Sequence, residues 1–244
     1  MNISFRGKRI MVTGAERGIG REIVRQLVAC EAEVIAVSLN LSELEKVKNE
    51  HPSIEIISTD LSNWTQTKNA LKNVRNIDGL VNNAGIAILD NFLNVTESSF
   101  DLTFNINVKA VVNVSQIAAQ DMIDRKSGGS IVNISSQASK VGLKDHTVYC
   151  GSKSAVDGIT RVMALELGPH NIRVNCLNPT VVMTELGRAA WSDPVKAGDM
   201  LNKIPLGRFC EIEDVVNAVL FLLSHKATMI NGVTLPVDGG FLAC

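Results

Sequence analysis

Short apolar, β-branched runs alternate along the chain with longer segments of helical period. Six of these runs are predicted to be strands, at residues 9–12, 33–37, 54–57, 79–81, 130–134 and 172–176. Residues 19–30 and 212–223 carry apolar side chains three and four positions apart, which is typical of amphipathic helices. Nearly continuous apolar strands that alternate with helices indicate a parallel sheet covered on both faces. The pattern predicts one doubly wound α/β domain of the Rossmann type over residues 1–244.

The least regular stretch lies between two prolines, from Pro179 to Pro205. No repeat or low-complexity linker interrupts the rest of the alternation. A long irregular segment inside a compact domain is often a mobile cover over a site. We therefore expect residues 179–205 to form a flexible substrate lid.

The composition disfavours several classes of function. The 244 residues are 45% hydrophobic and 20% charged, and 24 basic against 25 acidic residues leave a formal charge of −1. This balance disfavours a nucleic-acid partner or an anionic membrane surface. No apolar run approaches the roughly 20 residues of a transmembrane helix, the first residues lack a signal-peptide core, and the five scattered cysteines indicate neither disulfides nor a structural metal. We expect a cytoplasmic protein without a metal site.

A glycine-rich turn joins the first strand to the first helix, in Thr13-Gly14-Ala15-Glu16-Arg17-Gly18-Ile19-Gly20. Glycines at this point let a backbone approach a pyrophosphate, which the free N–H groups of the helix then hold. The spacing differs from the commonest dinucleotide fingerprint, so an ordinary tight turn is the alternative. The position after a strand favours dinucleotide binding by Gly14, Arg17, Gly18, Ile19 and Gly20.

The end of the second strand bears on the choice between NAD and NADP. An acidic residue there normally binds the ribose hydroxyls of NAD, but this strand ends in Ser38-Leu39-Asn40. Arg17 in the glycine turn could bind a 2′-phosphate, although an exposed surface arginine is the alternative. We therefore predict NADP(H) as the cofactor, contacted by Arg17, Ser38, Leu39 and Asn40.

The only tyrosine, Tyr149, lies four residues before Lys153. On a helix both side chains would project from one face, and Ser136 follows the strand at 130–134. A phenol can donate a proton to a carbonyl oxygen during hydride transfer, and a nearby ammonium should lower its pKa from about 10. Ser136 would polarise the substrate oxygen.

Together these motifs, with Asn82-Asn83-Ala84-Gly85 and Asn107, resemble the short-chain dehydrogenase/reductase family along the whole chain. The resemblance implies about seven strands and a catalytic tetrad of Asn107, Ser136, Tyr149 and Lys153. Tyr149 would be the general acid, Ser136 would hold the carbonyl, Lys153 would contact the nicotinamide ribose, and Asn107 would support a proton relay. It also implies cofactor contacts from Asp60, Leu61, Asn83, Ala84, Gly85, Tyr149, Lys153, Pro179, Val182 and Thr184.

Long matches at residues 163–170, 178–184, 191–194, 204–207 and 239–244 are similar to family members that reduce small sugars and dicarbonyls. These members carry an arginine after Ser38, where this chain has Leu39. The resemblance thus implies an NADPH-dependent reductase whose phosphate contacts come from Arg17, Ser38 and Asn40. It further implies a homotetramer.

Four residues near the tetrad are candidate substrate contacts in addition to Ser136 and Tyr149. His146 could bind a sugar hydroxyl, or it could be an exposed loop histidine. Trp191 could close over the substrate or simply anchor the lid by burial. Gln137 and Leu143 flank the tetrad in sequence, whereas we expect Cys150 to pack rather than react.

Two other functions stay open at this point. The same scaffold could serve a 3-oxoacyl or steroid-type reductase, or a dinucleotide-binding sensor without catalysis. A sensor needs the glycine turn but not a proton donor, so the tetrad favours an enzyme.

Overall fold

The computed structural model describes residues 3–243, without the side chain of Lys196. Seven parallel strands form one sheet in the order β3-β2-β1-β4-β5-β6-β7. The strands are β1 (Arg9–Thr13), β2 (Glu33–Ser38), β3 (Glu55–Ser58), β4 (Gly79–Asn82), β5 (Gly129–Ile134), β6 (Ile172–Pro179) and β7 (Thr234–Val237). The predicted doubly wound α/β sheet is confirmed.

Helices cover both faces of the sheet. They are α1 (Gly18–Ala29), α2 (Leu41–Glu50), α3 (Trp64–Leu71), α4 (Glu97–Phe104), α5 (Ala110–Arg125), α6 (Thr147–Leu167), α7 (Glu185–Ala190), α8 (Pro194–Leu201) and α9 (Ile212–Leu223). One core lies between the sheet and α1, α2 and α9, and the other lies between the sheet and α3, α5 and α6. The apolar stripes at 19–30 and 212–223 therefore face the sheet, as their spacing predicts. In the described part of the chain, no helix has the length and apolar content needed to cross a bilayer.

A row of buried polar side chains crosses the middle of the sheet. Asn82 donates hydrogen bonds to Ser115 Oγ at 2.9 Å and to Asn133 Oδ1 at 2.8 Å, and Asn133 donates to Thr160 Oγ1 at 2.9 Å. The row joins α5, β4, β5 and α6. Each amide and hydroxyl in it thus has a partner, as buried polar groups require.

The strand order reverses between β1 and β4, since the chain runs outward from β1 to β3 and then returns to the other side. Open α/β sheets bind their ligands at the carboxyl ends of the strands at such a point. The turn after β1, the loop after β4 and the loop after β5 all meet there. The topology thus places the predicted motifs on one edge of the sheet.

Two features differ from the hydrophobic pattern. β7 carries no clear apolar run because Thr-Leu-Pro-Val lies at the edge and is only partly buried. The segment at 179–205 is less irregular than predicted, since it contains α7 and α8, and its first residue, Pro179, ends β6.

Candidate active site

The glycine turn after β1 adopts a conformation that needs its glycines. Gly14 and Gly18 have φ angles of +63° and +53°, which glycine adopts without strain. A Cβ on Gly20 would overlap the carbonyl oxygen of Gly14, so the first turn of α1 packs closely against the glycine turn only with glycine there. α1 begins at Gly18, after an Arg17 that makes no side-chain capping bond in the described structure. Its first N–H groups therefore remain available for an anion.

The turn is tied to the loop after β4. Thr13 Oγ1 accepts hydrogen bonds from the N–H groups of Asn83 and Ala84 at 3.0 and 3.1 Å. The Asn83 amide in turn donates to the carbonyl oxygens of Thr13 and Gly14, each at 3.0 Å. These four bonds hold the two loops at a constant separation on either side of the strand reversal.

A cleft of about 560 Å³ opens between these loops. Twelve of the predicted cofactor residues line it, namely Gly14, Arg17, Gly18, Ile19, Ser38, Leu39, Asp60, Leu61, Asn83, Ala84, Gly85 and Thr184. Its volume and glycine-lined wall fit a dinucleotide. Six other predicted cofactor residues are not part of the lining, namely Gly20, Asn40, Pro179, Val182, Tyr149 and Lys153.

Several lining residues were not predicted. They are Glu16, Thr59, Ser62, Ile86, Ile106, Glu185 and Leu186. Most adjoin a predicted residue in the sequence, so the loops were located correctly and their individual side chains were not. Ile106 lies in the turn between α4 and α5 and directly precedes the predicted tetrad residue Asn107, but Asn107 was predicted for the proton relay and not for the wall of the cleft.

At the end of β2, the three residues expected to face a ribose differ in exposure. Ser38 is buried, while Leu39 is 67% exposed. The Asn40 side chain accepts a hydrogen bond from the Glu43 N–H at 3.3 Å and thereby caps α2. Asn40 is thus engaged by its own helix, and Arg17, whose side chain is 68% exposed, is the cation of the glycine turn.

Tyr149 and Lys153 project from the same face of α6, as their spacing predicts. Lys153 Nζ lies 5.6 Å from the centre of the Tyr149 ring. It is buried and donates a hydrogen bond to the carbonyl oxygen of Ile134 at 2.9 Å. A Cβ on Gly85 would lie 3.4 Å from Nζ, so the ammonium borders the cleft.

Asn107 lies in a π-helical turn, Asn105–Lys109, between α4 and α5. Its amide accepts the N–H of Ile86 at 2.8 Å and donates to the carbonyl oxygen of Ile86 at 2.9 Å. The amide also donates to Ser152 Oγ on α6 at 3.0 Å. Asn107 therefore joins the loop after β4 to the helix of Tyr149 and Lys153. Such wide turns often occur at functional sites.

Ser136 lies just beyond β5, where a buried network supports its backbone. Asn178 on β6 donates to the carbonyl oxygen of Ser136 at 3.1 Å and to Ser139 Oγ at 2.7 Å. Asn178 also lies 3.2 Å from both carboxylate oxygens of Asp157, which forms an ion pair with Lys140 at 3.0 Å. The sequence analysis missed Asp157 and Asn178. An acid four residues after Lys153 on the same helix was the available signal for Asp157.

The electrostatics differ from the expectation for Tyr149. Burial raises the pKa of the Tyr149 hydroxyl above its ordinary value, and a hydrogen bond with Ser136 opposes this. The predicted lowering of the Tyr149 pKa is wrong for this structure, because desolvation of the phenolate outweighs the hydrogen bond with Ser136. Burial also lowers the pKa of Lys153 to about 8, while Cys176 and Asp157 act to raise it.

The predicted substrate residues differ in their surroundings. His146 lies edge-on to Tyr149, with ring centres 6.1 Å apart, and the buried Gln137 directly follows Ser136. Leu143 is half-buried in the loop before α6. Trp191 packs on Phe209, with ring centres 5.4 Å apart, in an apolar cluster formed largely by residues of the 179–205 segment itself. Cys150 points its thiol at the carbonyl oxygen of Val141, 3.7 Å away, in keeping with a packing role.

Comparison with known proteins gives a consistent assignment. Residues 14–242 match a family described as Enoyl-(Acyl carrier protein) reductase. The chain is 54% identical over 242 residues to the L-xylulose reductase of Mesocricetus auratus, covering 99% of each. It is 45% identical over 243 residues to Carbonyl reductase [NADPH] 2 of Sus scrofa, covering 100% of each.

A solved short-chain type dehydrogenase/reductase from Mycobacterium ulcerans has the same fold. It superposes with a TM-score of 0.94 at 32% identity and covers 99% of this chain and 92% of that one. The chain therefore belongs to the short-chain dehydrogenase/reductase family and is an oxidoreductase.

Proposed function

We propose that the protein is an NADPH-dependent reductase of small polar carbonyl compounds, with L-xylulose, which it would reduce to xylitol, and α-dicarbonyls such as diacetyl as substrates. The observation that carries the proposal is the meeting of Ser136, Tyr149 and Lys153 at one end of a cleft that fits a dinucleotide. The family uses NAD(P), and the names of the relatives support a sugar or carbonyl substrate.

In this proposal the nicotinamide, when bound, supplies the hydride, and the chain's own residues supply the proton. Ser136 Oγ donates a hydrogen bond to the substrate oxygen. Tyr149 donates the proton to that oxygen as it gains charge. The raised pKa of Tyr149 keeps the phenol protonated before the reaction, which suits reduction.

Lys153 and Asn107 would keep the cofactor and the Tyr149 helix in position. The Lys153 ammonium, next to Gly85 and to the Tyr149 ring, would contact the nicotinamide ribose and stabilise the phenolate that proton donation leaves. Asn107 ties α6 to the loop after β4 through Ser152 and Ile86 and would support the proton relay to solvent.

His146 and Gln137 favour a small polar substrate. His146 is edge-on to Tyr149, and the Gln137 side-chain oxygen is buried without a hydrogen-bond partner among the described residues. Both could bind hydroxyl groups of a sugar. Trp191 and Leu143 would form the apolar wall of the substrate site when the lid at 179–205 covers it.

A second candidate is a 3-oxoacyl-thioester reductase, because the description of the matched family, Enoyl-(Acyl carrier protein) reductase, names an acyl-thioester class of substrate. The deciding experiment follows the consumption of NADPH and of NADH with L-xylulose, diacetyl and an acetoacetyl thioester. We expect turnover with the first two and a preference for NADPH. A strong preference for the thioester would overturn the substrate, and dinucleotide binding without turnover would indicate a sensor.

We also propose a cytoplasmic homotetramer. Apolar side chains remain exposed on α4, at Phe100 and Leu102, and on α6, at Val162 and Leu165. These two helices offer surfaces that association would cover. Sedimentation equilibrium at micromolar concentration should give four times the chain mass of 26.3 kDa, and a monomer would contradict the proposal.

A further inference from the structure

The glycine turn contains a carboxylate, Glu16, with an unusual environment. Its side chain is only 17% exposed and lines the cleft. The Oε2 atom is buried and has no hydrogen-bond partner in the described part of the chain. A buried acceptor without a donor costs free energy, so this oxygen is suited to a donor that arrives with a ligand.

Glu16 lies at the end of the cleft where a cofactor's adenosine ribose would be recognised. The N–H of the preceding Ala15 contacts the carbonyl oxygen of Val37, 3.4 Å away, which places the turn against the end of β2. Ser38 and Leu39 follow Val37 directly and line the same cleft. Glu16 therefore occupies the region that an acidic residue at the end of β2 serves in many NAD-binding folds.

Arg17 forms an ion pair with Glu16. Arg17 Nε lies 3.8 Å from Glu16 Oε1, and its side chain is mostly exposed. This long contact involves Oε1 and leaves Oε2 without a donor. An exposed ion pair of this length adds little binding energy, so the carboxylate keeps most of its capacity to accept a hydrogen bond or to repel an anion.

The two cofactors differ in this region by one phosphate group. A ribose hydroxyl is a hydrogen-bond donor, whereas a 2′-phosphate carries nearly two negative charges and presents acceptor oxygens. Leu39 brings no cation to offset the Glu16 charge. A carboxylate here therefore attracts the ribose of NAD(H) and repels the 2′-phosphate of NADP(H).

We propose that Glu16 is a cofactor-specificity residue that accepts a hydrogen bond from an adenosine ribose hydroxyl and opposes Arg17 in binding the 2′-phosphate. This inference rests on the dinucleotide use proposed above and deepens it. The chain then prefers NADPH through Arg17, but by a smaller factor than it would without Glu16.

The test measures dissociation constants without substrate, by titration calorimetry, for NADPH, NADH, adenosine 2′,5′-bisphosphate and 5′-AMP. Glu16→Gln keeps the shape of the side chain and removes its charge. It should tighten NADPH and the bisphosphate by about 5- to 10-fold, the size of one like-charge contact near a protein surface. NADH and 5′-AMP should bind equally well or up to about 10-fold more weakly, because a charge-assisted hydrogen bond is lost.

Glu22→Gln is the matched control. It removes the same charge further along α1, where the carboxylate already bonds Arg25 and Gln26, and it should leave all four constants within about twofold. Glu16→Ala tests whether a new hydrogen bond from the glutamine amide causes the effect. It should shift the ratio of the NADPH and NADH dissociation constants in the same direction as Glu16→Gln.

Two results would overturn the inference. An unchanged ratio in both Glu16 variants would show that the carboxylate does not sense the phosphate. Weaker NADPH binding in both would show instead that Glu16 positions Arg17 for the phosphate. Because these constants need no turnover, they are separable from a failure of the proposed reductase activity, which the substrate panel measures.

Discussion

Lys153 Nζ donates its hydrogen bond to the carbonyl oxygen of Ile134 on β5, at 2.9 Å. The ammonium on α6 is thereby held against the end of a core strand, 5.6 Å from the Tyr149 ring. A long flexible side chain is thus kept in one place, and the proposed proton donor and its cation have a defined separation. The first three predictions depend on this arrangement.

Tyr149→Phe should separate catalysis from cofactor binding. The substitution keeps the ring and its contact with His146 but deletes the hydroxyl. Loss of general acid catalysis should lower kcat about 10²- to 10⁴-fold with L-xylulose or diacetyl. NADPH affinity and the thermal midpoint should stay nearly unchanged. Wild-type turnover by this variant would remove Tyr149 from the mechanism.

Lys153→Met should have two effects. The side chain keeps most of its apolar length but loses the ammonium, so kcat should fall. The dissociation constant for NADPH should also rise about 10- to 100-fold, the usual effect of losing a hydrogen bond from a charged group. Fluorescence titration and initial rates measure the two effects separately. A normal affinity with reduced kcat would show that Lys153 acts on Tyr149 alone.

The rate of reduction should depend on the protonation of Lys153. Burial lowers the pKa of Lys153 to about 8, so the ammonium is present below that pH and is lost as the pH rises through it. The value of kcat/KM for the carbonyl should therefore fall above about pH 8. Lys153→Arg, although less active, should move this fall to higher pH because a guanidinium keeps its charge. A profile flat to pH 10 would contradict the assignment.

Asp157→Asn should destabilise the protein and disturb the backbone of Ser136. The carboxylate is 2% exposed, and the change breaks its pairing with Lys140 and weakens its bonds with Ser139 and Asn178. We expect a loss of about 2 to 3 kcal/mol in unfolding free energy. Asp124→Asn on the exposed face of α5 should cost under about 0.5 kcal/mol.

The pH dependence of that loss gives an independent check. Burial alone would raise the pKa of Asp157, but its bonds with Ser139, Lys140, Ser135 and Asn178 together lower it below 3.8. The stabilisation is therefore complete above the unfolded value and disappears as the pH falls through the folded one. Urea unfolding should show the difference between wild type and Asp157→Asn shrinking below about pH 4. A constant difference would mean that the charge is not responsible.

Arg17→Ala should reduce the preference for NADPH over NADH at least about tenfold, because an arginine bound to a charged phosphate contributes about 1.5 to 3 kcal/mol. Leu39→Arg should increase the preference, since it adds a cation at an exposed position that already lines the cleft. Ratios of kcat/KM for the two cofactors measure both changes. Equal use of NADPH and NADH by the wild type would contradict the assignment of Arg17.

The sheet and the glycine turn were predictable because they depend on local pattern. Apolar runs located six strands, five of them to within one residue at each end and β6 to within three. Tyr149 and Lys153 lie one turn apart on α6, as their spacing predicts. β7 was not visible as a pattern because an edge strand needs no continuous apolar run. The family resemblance implied a seventh strand but did not say where in the sequence it lies.

The surroundings of the candidate site were harder to predict. Asp157 and Asn178 meet from α6 and β6, and only the three-dimensional packing shows that they support Ser136. The pKa of Tyr149 was predicted in the wrong direction because the extent of its burial depends on that same packing. Glu16 was visible in the turn, but its buried oxygen was not.

The polar row from Ser115 through Asn82 and Asn133 to Thr160 bears on how the chain reaches one fold. β4 and β5 are otherwise short and mostly aliphatic, and aliphatic strands can slide past one another at little cost. A slip by two residues would keep every side chain on its original face yet leave the amides facing hydrocarbon without partners. The row therefore favours one register of β4 against β5 over pairings that are shifted along the strands.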